Sequence, residues 1–367
     1  MIITRVRLQG FRNYESVDIS FPKSIIIFYG RNGQGKTNLL ESMYAGCIGK
    51  SYRGVGDIDI LRQGSNEGSV IIDFVRNNVE QEVKIIFSRF EKKSAYINNT
   101  KVKIKELFGT LQAVMFSPDD LQLIKGTPLL RRRFMDMEIS QVNQTYYHLL
   151  LQYNRAVAQR NILLRKMKYK RCISLDEWDE QLAQFSAEIV KKRLESLKKI
   201  RFMAGIIYKR LTRNKENLTL TYVQPYNKGI GDEQNITDPE WYYRLLKKNR
   251  QYDIYRISTS VGPHRDDLIL GTEAGNLRRF GSQGQQRTAV LALKLSELEF
   301  IKSESGEYPV LLLDDVMSEL DEGRRNSLLE FVHERIQTFI TATDDAVFRK
   351  KKEYHFLHVV NGKVKYD

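Results

Sequence analysis

Two cysteines in 367 residues, Cys47 and Cys172, stand far apart and make no Cys-x-x-Cys pair. That excludes a disulfide framework and a thiolate zinc site, and suits a reducing compartment. No apolar run approaches the ~20 residues that a membrane-spanning helix requires. The opening Met1-Ile-Ile-Thr-Arg reads as a strand rather than the charged lead of a signal peptide, so the expectation is a cytoplasmic protein with no membrane partner. Acidic residues are the minority charge, 45 against 59 Lys and Arg, for a formal net charge of +14. Such a balance favours polyanionic partners, nucleic acid above all. Internal repeats and low-complexity tracts are absent, as are helix-turn-helix, zinc-finger and aromatic-rich RNA-binding motifs; contact with a nucleic acid should then be to backbone and shape, without base readout.

The first part of the chain alternates short β-branched runs with turns: Ile2 to Leu8, Ile25 to Tyr29, Val70 to Val75, Val83 to Ser88 and a hairpin over Ala95 to Val102. A buried strand at Ala113 to Phe116 closes this sheet-rich part. Helical patterning follows: one helix opens at Thr127-Pro128, a second covers Gln144 to Tyr169, and a third starts at a Ser174-x-x-Glu177 capping box and reaches Arg213. Strand signals return at Leu218 to Val223, a short helix follows Asp238-Pro239, and α/β alternation resumes near Tyr255 and runs to Phe356–Val360. The reading is an α/β chain with mixed sheets and helices, in which residues 1–118 and 257–367 form one head and 119–256 insert a mainly helical arm.

Three motifs carry chemistry. After the strand Ile25-Ile-Ile-Phe-Tyr comes Gly30-Arg-Asn-Gly-Gln-Gly-Lys-Thr37, a complete G-x-x-x-x-G-K-[ST] phosphate loop running into the helical Asn38-Leu-Leu-Glu. Gly30, Gly33 and Gly35 let the backbone N–H groups turn toward phosphate oxygens, with Arg31, Asn32, Gln34 and Asn38 completing the cradle. Lys36 bridges the outer phosphates and Thr37 can ligate magnesium. Far downstream, Val310-Leu-Leu-Leu-Asp314-Asp315 supplies the second magnesium anchor, Asp314, and a carboxylate one position on, Asp315, placed to polarise a water for attack on the γ-phosphate. The third motif, Phe280-Gly-Ser282-Gln-Gly284-Gln285-Gln286, precedes a helix and offers a second set of phosphate donors. One site cannot readily use both sets on the same γ-phosphate, whereas two chains facing each other can; Ser282, Gly284 and Gln285 of one subunit would complete the site holding Lys36 of the other.

Together with Gly10 to Tyr14, Phe116 to Leu121, Arg131 to Phe134, Gly262-Pro-His-Arg-Asp-Asp-Leu268 and Ser318-Glu-Leu-Asp321, these motifs resemble the RecF family, related to the ABC-type ATPase heads of SMC and Rad50 proteins, along the whole chain. The resemblance implies an ABC-type ATPase head, ATP and Mg2+ as cofactors, ATP-dependent homodimerisation, and binding to duplex DNA and single-strand/double-strand junctions. It further implies slow DNA-stimulated hydrolysis and work with RecO and RecR in loading recombinase. It places Asp321 facing the partner subunit, and Arg12 and Asn13 near the nucleotide. A metal-sensing glutamine is expected at Gln112 or Gln122. Ile340-Thr-Ala-Thr-Asp344 stands where transporters have a histidine, leaving Thr341 or Thr343 as replacements. Asp315 stands where the wider class has glutamate, one methylene longer, which suggests slow turnover.

Basic residues of the arm, Arg131, Arg132 and Arg133, then Arg160, Arg165 and Lys168 with Lys170 and Arg171, are the candidates for DNA contact, with ion-paired or solvated helix faces as their alternative. A transporter ATPase would hold its phosphate loop and serine-glycine motif much closer in sequence, and no N-K-x-D motif points to guanine. The surviving rival is a clamp that binds ATP without turnover.

Overall fold

The buried run Ile25–Tyr29 forms the strand that feeds the phosphate loop, and it lies inside a six-stranded sheet ordered 363–366, 355–360, 25–29, 338–342, 310–314, 113–116. All neighbours are parallel except the edge strand Lys363–Tyr366, which the sequence reading did not foresee. Val310–Asp314 and Thr338–Ala342 are buried at every position, as strands covered on both faces must be. In this computed structural model, residues 1–168, 174–226, 236–344, 348–349 and 353–366 are described. Cys172, Lys170 and Arg171, named above, lie outside them, as does the expected helix end at Tyr169.

A second six-stranded sheet is antiparallel and ordered 14–20, 2–11, 67–76, 79–88, 94–97, 100–102. Glu67–Arg76 alternates buried and less buried residues, the period-two pattern of a sheet with one face on the core. The expected hairpin closes through Asn98 and Asn99, both left-handed at φ 48° and 64°, as a tight two-residue turn requires.

The chain divides into two compact units, residues 1–120 with 294–367, and residues 121–293. Residues 257–293 thus group with the second unit. The reason is pairing: Asp267–Thr272 joins Thr219–Val223 and Gly275–Asn276 in a three-stranded sheet of the second unit. That unit otherwise consists of helices, chiefly Pro128–Val142, Gln144–Lys168, Asp176–Leu211 and Pro239–Lys248. Tyr146, Tyr153, Leu182, Ile189 and Trp241 are among the residues of its core.

Helix starts depart from two expectations. Thr127 stands at the N-cap ahead of Pro128, but its hydroxyl makes no capping bond. The Ser174-x-x-Glu177 box does not form either; Ser174 Oγ accepts from the Asp176 amide at 3.2 Å, before the helix begins. Asp238 does cap, accepting from the Glu240 amide at 3.0 Å.

Candidate functional site

The phosphate loop is braced from several sides. Gly30 and Gly35 take φ 142° and 117°. A side chain at Gly30 would collide with the Val359 carbonyl, and one at Gly35 would come within 2.6 Å of Asn13 Nδ2 and 2.8 Å of the Tyr14 hydroxyl. Tyr14 donates to the Gly35 carbonyl at 3.0 Å and Asn13 Nδ2 to the Gln34 carbonyl at 2.9 Å, while Asn13 Oδ1 accepts from Asn38 Nδ2 at 2.8 Å. The turn at Asn361 and Gly362 donates two amides to Gln34, to Oε1 at 2.7 Å and to its carbonyl at 3.1 Å. Arg31 and Asn32 are exposed at the loop tip.

Lys36, itself buried, donates to the carbonyls of Gly30 and Arg31 at 2.6 and 2.9 Å. Burial lowers its pKa below the ordinary value, opposed by the charges of Asp315 and Asp314. Thr37 Oγ1 donates to Asp314 Oδ1 at 2.7 Å, joining residues 277 positions apart. Sheet register makes this possible: Asp314 pairs with Thr341, which pairs with Phe28, so the ends of three neighbouring strands lie level. An oxygen-only set of hydroxyl and carboxylate at a phosphate cradle fits magnesium, which Thr37 and Asp314 would hold.

Thr341 is the alternative that the geometry brings in. Its hydroxyl donates to Asp314 Oδ1 at 2.9 Å and accepts from the Asp315 amide at 2.9 Å, locking the two aspartates together. Thr343 is exposed. Asp315, exposed and in the left-handed region at φ 53°, turns the chain out of the strand. Gln112 accepts at its carbonyl from the Val310 amide, at the start of the strand that ends in Asp314. At ~3.3 Å per residue it is on the order of 13 Å from that end, a placement that does not suit a metal sensor. Arg12, expected near the nucleotide, grips the fully buried Glu41 with Nε at 2.9 Å and a second nitrogen at 2.6 Å.

In the second unit, Ser282 and Gln285 form a reciprocal capping box on the helix Gln283–Ser305. The Gln285 amide donates to Ser282 Oγ at 3.2 Å and the Ser282 amide to Gln285 Oε1 at 2.9 Å. Gln285 Nε2 donates to Glu216 at 2.9 Å, so this side chain is engaged within its own unit. Ser282 remains exposed at the helix start with Gly284 inside the first turn. In the first unit Asp321, also exposed, caps Glu322–Val332 through the Arg324 amide at 2.9 Å.

The family model for the RecF/RecN/SMC N-terminal domain matches residues 2–365. The DNA replication and repair protein RecF of Clostridium acetobutylicum is 40% identical over 99% of both chains, and that of Clostridium botulinum 42% identical over all of both. This chain belongs to the RecF family. Among solved structures, the recombination mediator protein RecF-ATP in the RecFOR pathway superposes with a TM-score of 0.92 at 33% identity, covering 100% of this chain and 97% of that one. An SMC head bound to the C-terminal winged-helix domain of ScpA matches at 0.60 and 15% identity, covering 100% of this chain and 97% of that one, a likeness of fold alone. RecF family membership and the ABC-type ATPase fold are thereby established for the chain.

The basic candidates for the RecF-type DNA surface separate sharply. Arg160 is wholly buried, bonded to Asp179 at 2.6 Å, Asp253 at 2.7 Å and Thr259 Oγ1 at 3.1 Å. Arg131 is buried and bidentate on Asp267 at 2.7 and 2.9 Å. Both are corrected from DNA contacts to internal ion pairs, since each guanidinium is buried against carboxylates of its own unit, where a DNA phosphate cannot reach it. Arg132 donates to the Asp266 carbonyl at 2.7 Å and is partly covered. Arg133, Arg165 and Lys168 are exposed.

Sequence reasoning passed over Tyr52, whose hydroxyl donates to Asp314 Oδ2 at 2.7 Å, and Glu41, on which Arg12, Ser51 and Arg53 converge. Burial, with the Asp314 charge, pushes the Tyr52 phenol pKa up, keeping it a donor. Neither residue belongs to a spacing motif; the acid following Asn38-Leu-Leu, in a buried helix, was the one available signal for Glu41.

Proposed function

We propose that the chain is an ATP-dependent DNA-binding protein of recombinational repair and replication that closes as a homodimer around ATP. It binds duplex DNA and single-strand/double-strand junctions, hydrolyses ATP slowly, and acts with RecO and RecR in loading recombinase. The observation that carries this is the contact of Thr37 with Asp314, which joins phosphate loop and metal carboxylate at one strand-end level.

In this reading Lys36 exchanges the Gly30 and Arg31 carbonyls for phosphate oxygens, a change its burial strengthens. Magnesium, when bound, neutralises phosphate charge. Asp315 orients and deprotonates the attacking water; Thr341 fixes its backbone to the metal carboxylate. The short reach of Asp315 keeps turnover slow, so ATP serves as a switch. Ser282 and the amides of the first turn of Gln283–Ser305 supply an anion-binding helix start that a second copy's nucleotide would meet. That RecO and RecR are partners rests on family membership.

The test is sedimentation of wild type and Lys36→Met with and without ATP and a gapped duplex. ATP should drive a monomer-to-dimer shift that DNA strengthens and Lys36→Met abolishes. A wild type that stays monomeric with ATP and DNA bound would refute the shared site.

A further inference from the structure

In the second unit a cleft of about 940 Å³ opens beside the helix Arg250–Arg256, its lining including Lys168, Tyr226, Tyr252, Tyr255, Arg256 and Arg265. Tyr252 and Tyr255 stand three positions apart on one helical face, 54% and 73% exposed. Their Cβ atoms are then ~5–6 Å apart, a step that two neighbouring bases can follow. Three cations and no carboxylate line the cleft among the described residues. Arg265 spends its guanidinium on neutral oxygens, the Thr259 carbonyl at 2.9 and 2.7 Å and Ser258 Oγ, and Lys168 Nζ lies 5.9 Å from the Tyr255 ring centroid. Between Arg256 and Ser258, Ile257 is held at φ 53°, a conformation that a β-branched residue adopts only when its surroundings impose it and one that clusters at ligand-binding turns.

We propose that this cleft binds single-stranded DNA, with bases stacked on Tyr252 and Tyr255 and phosphates set against Lys168, Arg256 and Arg265. Stacking rings interleaved with cations that have no carboxylate in the cleft among the described residues suit an unpaired strand. A duplex keeps its bases stacked on one another and could use the cations alone. The inference rests on the DNA-binding reading above and deepens it by naming the tyrosine cleft as the site that takes the unpaired strand of a junction.

The experiment is fluorescence anisotropy of the full chain with oligo(dT), a blunt duplex and a tailed duplex. The Tyr252→Ala/Tyr255→Ala double variant should lose oligo(dT) affinity on the order of tenfold for each ring removed and lose the preference for a tail. Its blunt-duplex affinity and melting temperature should stay at wild-type values, and Tyr252→Phe/Tyr255→Phe should restore oligo(dT) binding. Unchanged oligo(dT) affinity in the alanine variant, with duplex still bound, overturns the proposal and leaves the cleft to an acidic protein surface. Equal loss on single strand and duplex, or failure of the phenylalanine variant, overturns it as well. A wild type that binds no duplex at all strikes the DNA-binding reading itself, separately from the tyrosine site.

Discussion

Asp314 accepts from three side-chain hydroxyls, those of Thr37, Thr341 and Tyr52, spread over its two oxygens. Thr341 and Tyr52, which are not themselves metal ligands, orient the ligating carboxylate, so Thr341→Val should weaken Mg2+-dependent ATP binding on the order of tenfold, read by nucleotide titration at fixed magnesium. Asp315→Ala separates an ATPase from a passive clamp. Loss of a general base should cut phosphate release on the order of a hundredfold or more while nucleotide stays bound; a clamp without turnover would show no difference between variant and wild type. Both substitutions leave the loop bracing by Asn13, Tyr14 and Asn361 in place.

Within the helical unit the basic residues divide by burial, and their variants should divide the same way. Arg160→Met leaves the buried Asp253 without its cation and should lower unfolding stability by ~3–5 kcal/mol, measured by denaturant titration of the full chain. Arg165→Ala, at an exposed position, should leave the melting temperature alone and reduce the slope of log affinity for DNA against log salt by about 1. The Gly262 to Leu268 segment adds a pH signature. Burial lowers His264 from 6.5 to about 4. Below pH 6.5 the unfolded chain takes up the proton first, so this group's contribution to stability is lost as pH falls from 6.5 toward 4. Burial raises Asp266 from 3.8 to about 6, with Arg193 opposing. Between those values the folded form holds the extra proton, so this group favours folding as pH falls from 6 toward 3.8. The two effects, each on the order of 3 kcal/mol, oppose one another in the shared window. Asp266→Asn should therefore make thermal stability fall more steeply between pH 6 and 4 than in wild type.

For the whole molecule the deciding question is whether the second phosphate-binding set acts in trans. Ser282→Arg and Lys36→Met should each abolish hydrolysis alone. Mixed together, the two inactive variants should recover part of the wild-type phosphate release, because a heterodimer keeps one site with both Lys36 and Ser282 intact. No recovery, with mixed dimers seen by sedimentation, would exclude the shared site.

Much of the fold was legible in the sequence because it depends on local backbone: Ile25–Tyr29 and Ala113–Phe116 appear as read, the long helices begin within a few residues of their patterns, and Asp176–Leu211 ends close to the expected Arg213. The phosphate loop and Asp314 were legible for the same reason, since glycines, a lysine and a carboxylate at a strand end declare themselves within a few positions. Periodicity shows which face of an element is buried but not what covers it. Only the tertiary structure could pair Asp267–Thr272 with Thr219–Val223, and so move residues 257–293 into the helical unit. Only sheet register could set Thr341 against Asp314 and leave Gln112 at the far end of the strands. And only packing could decide that Arg160, which in sequence looks like its exposed neighbour Arg165, is an internal cation: its partners Asp179 and Asp253 lie 19 and 93 residues away, beyond anything local spacing encodes.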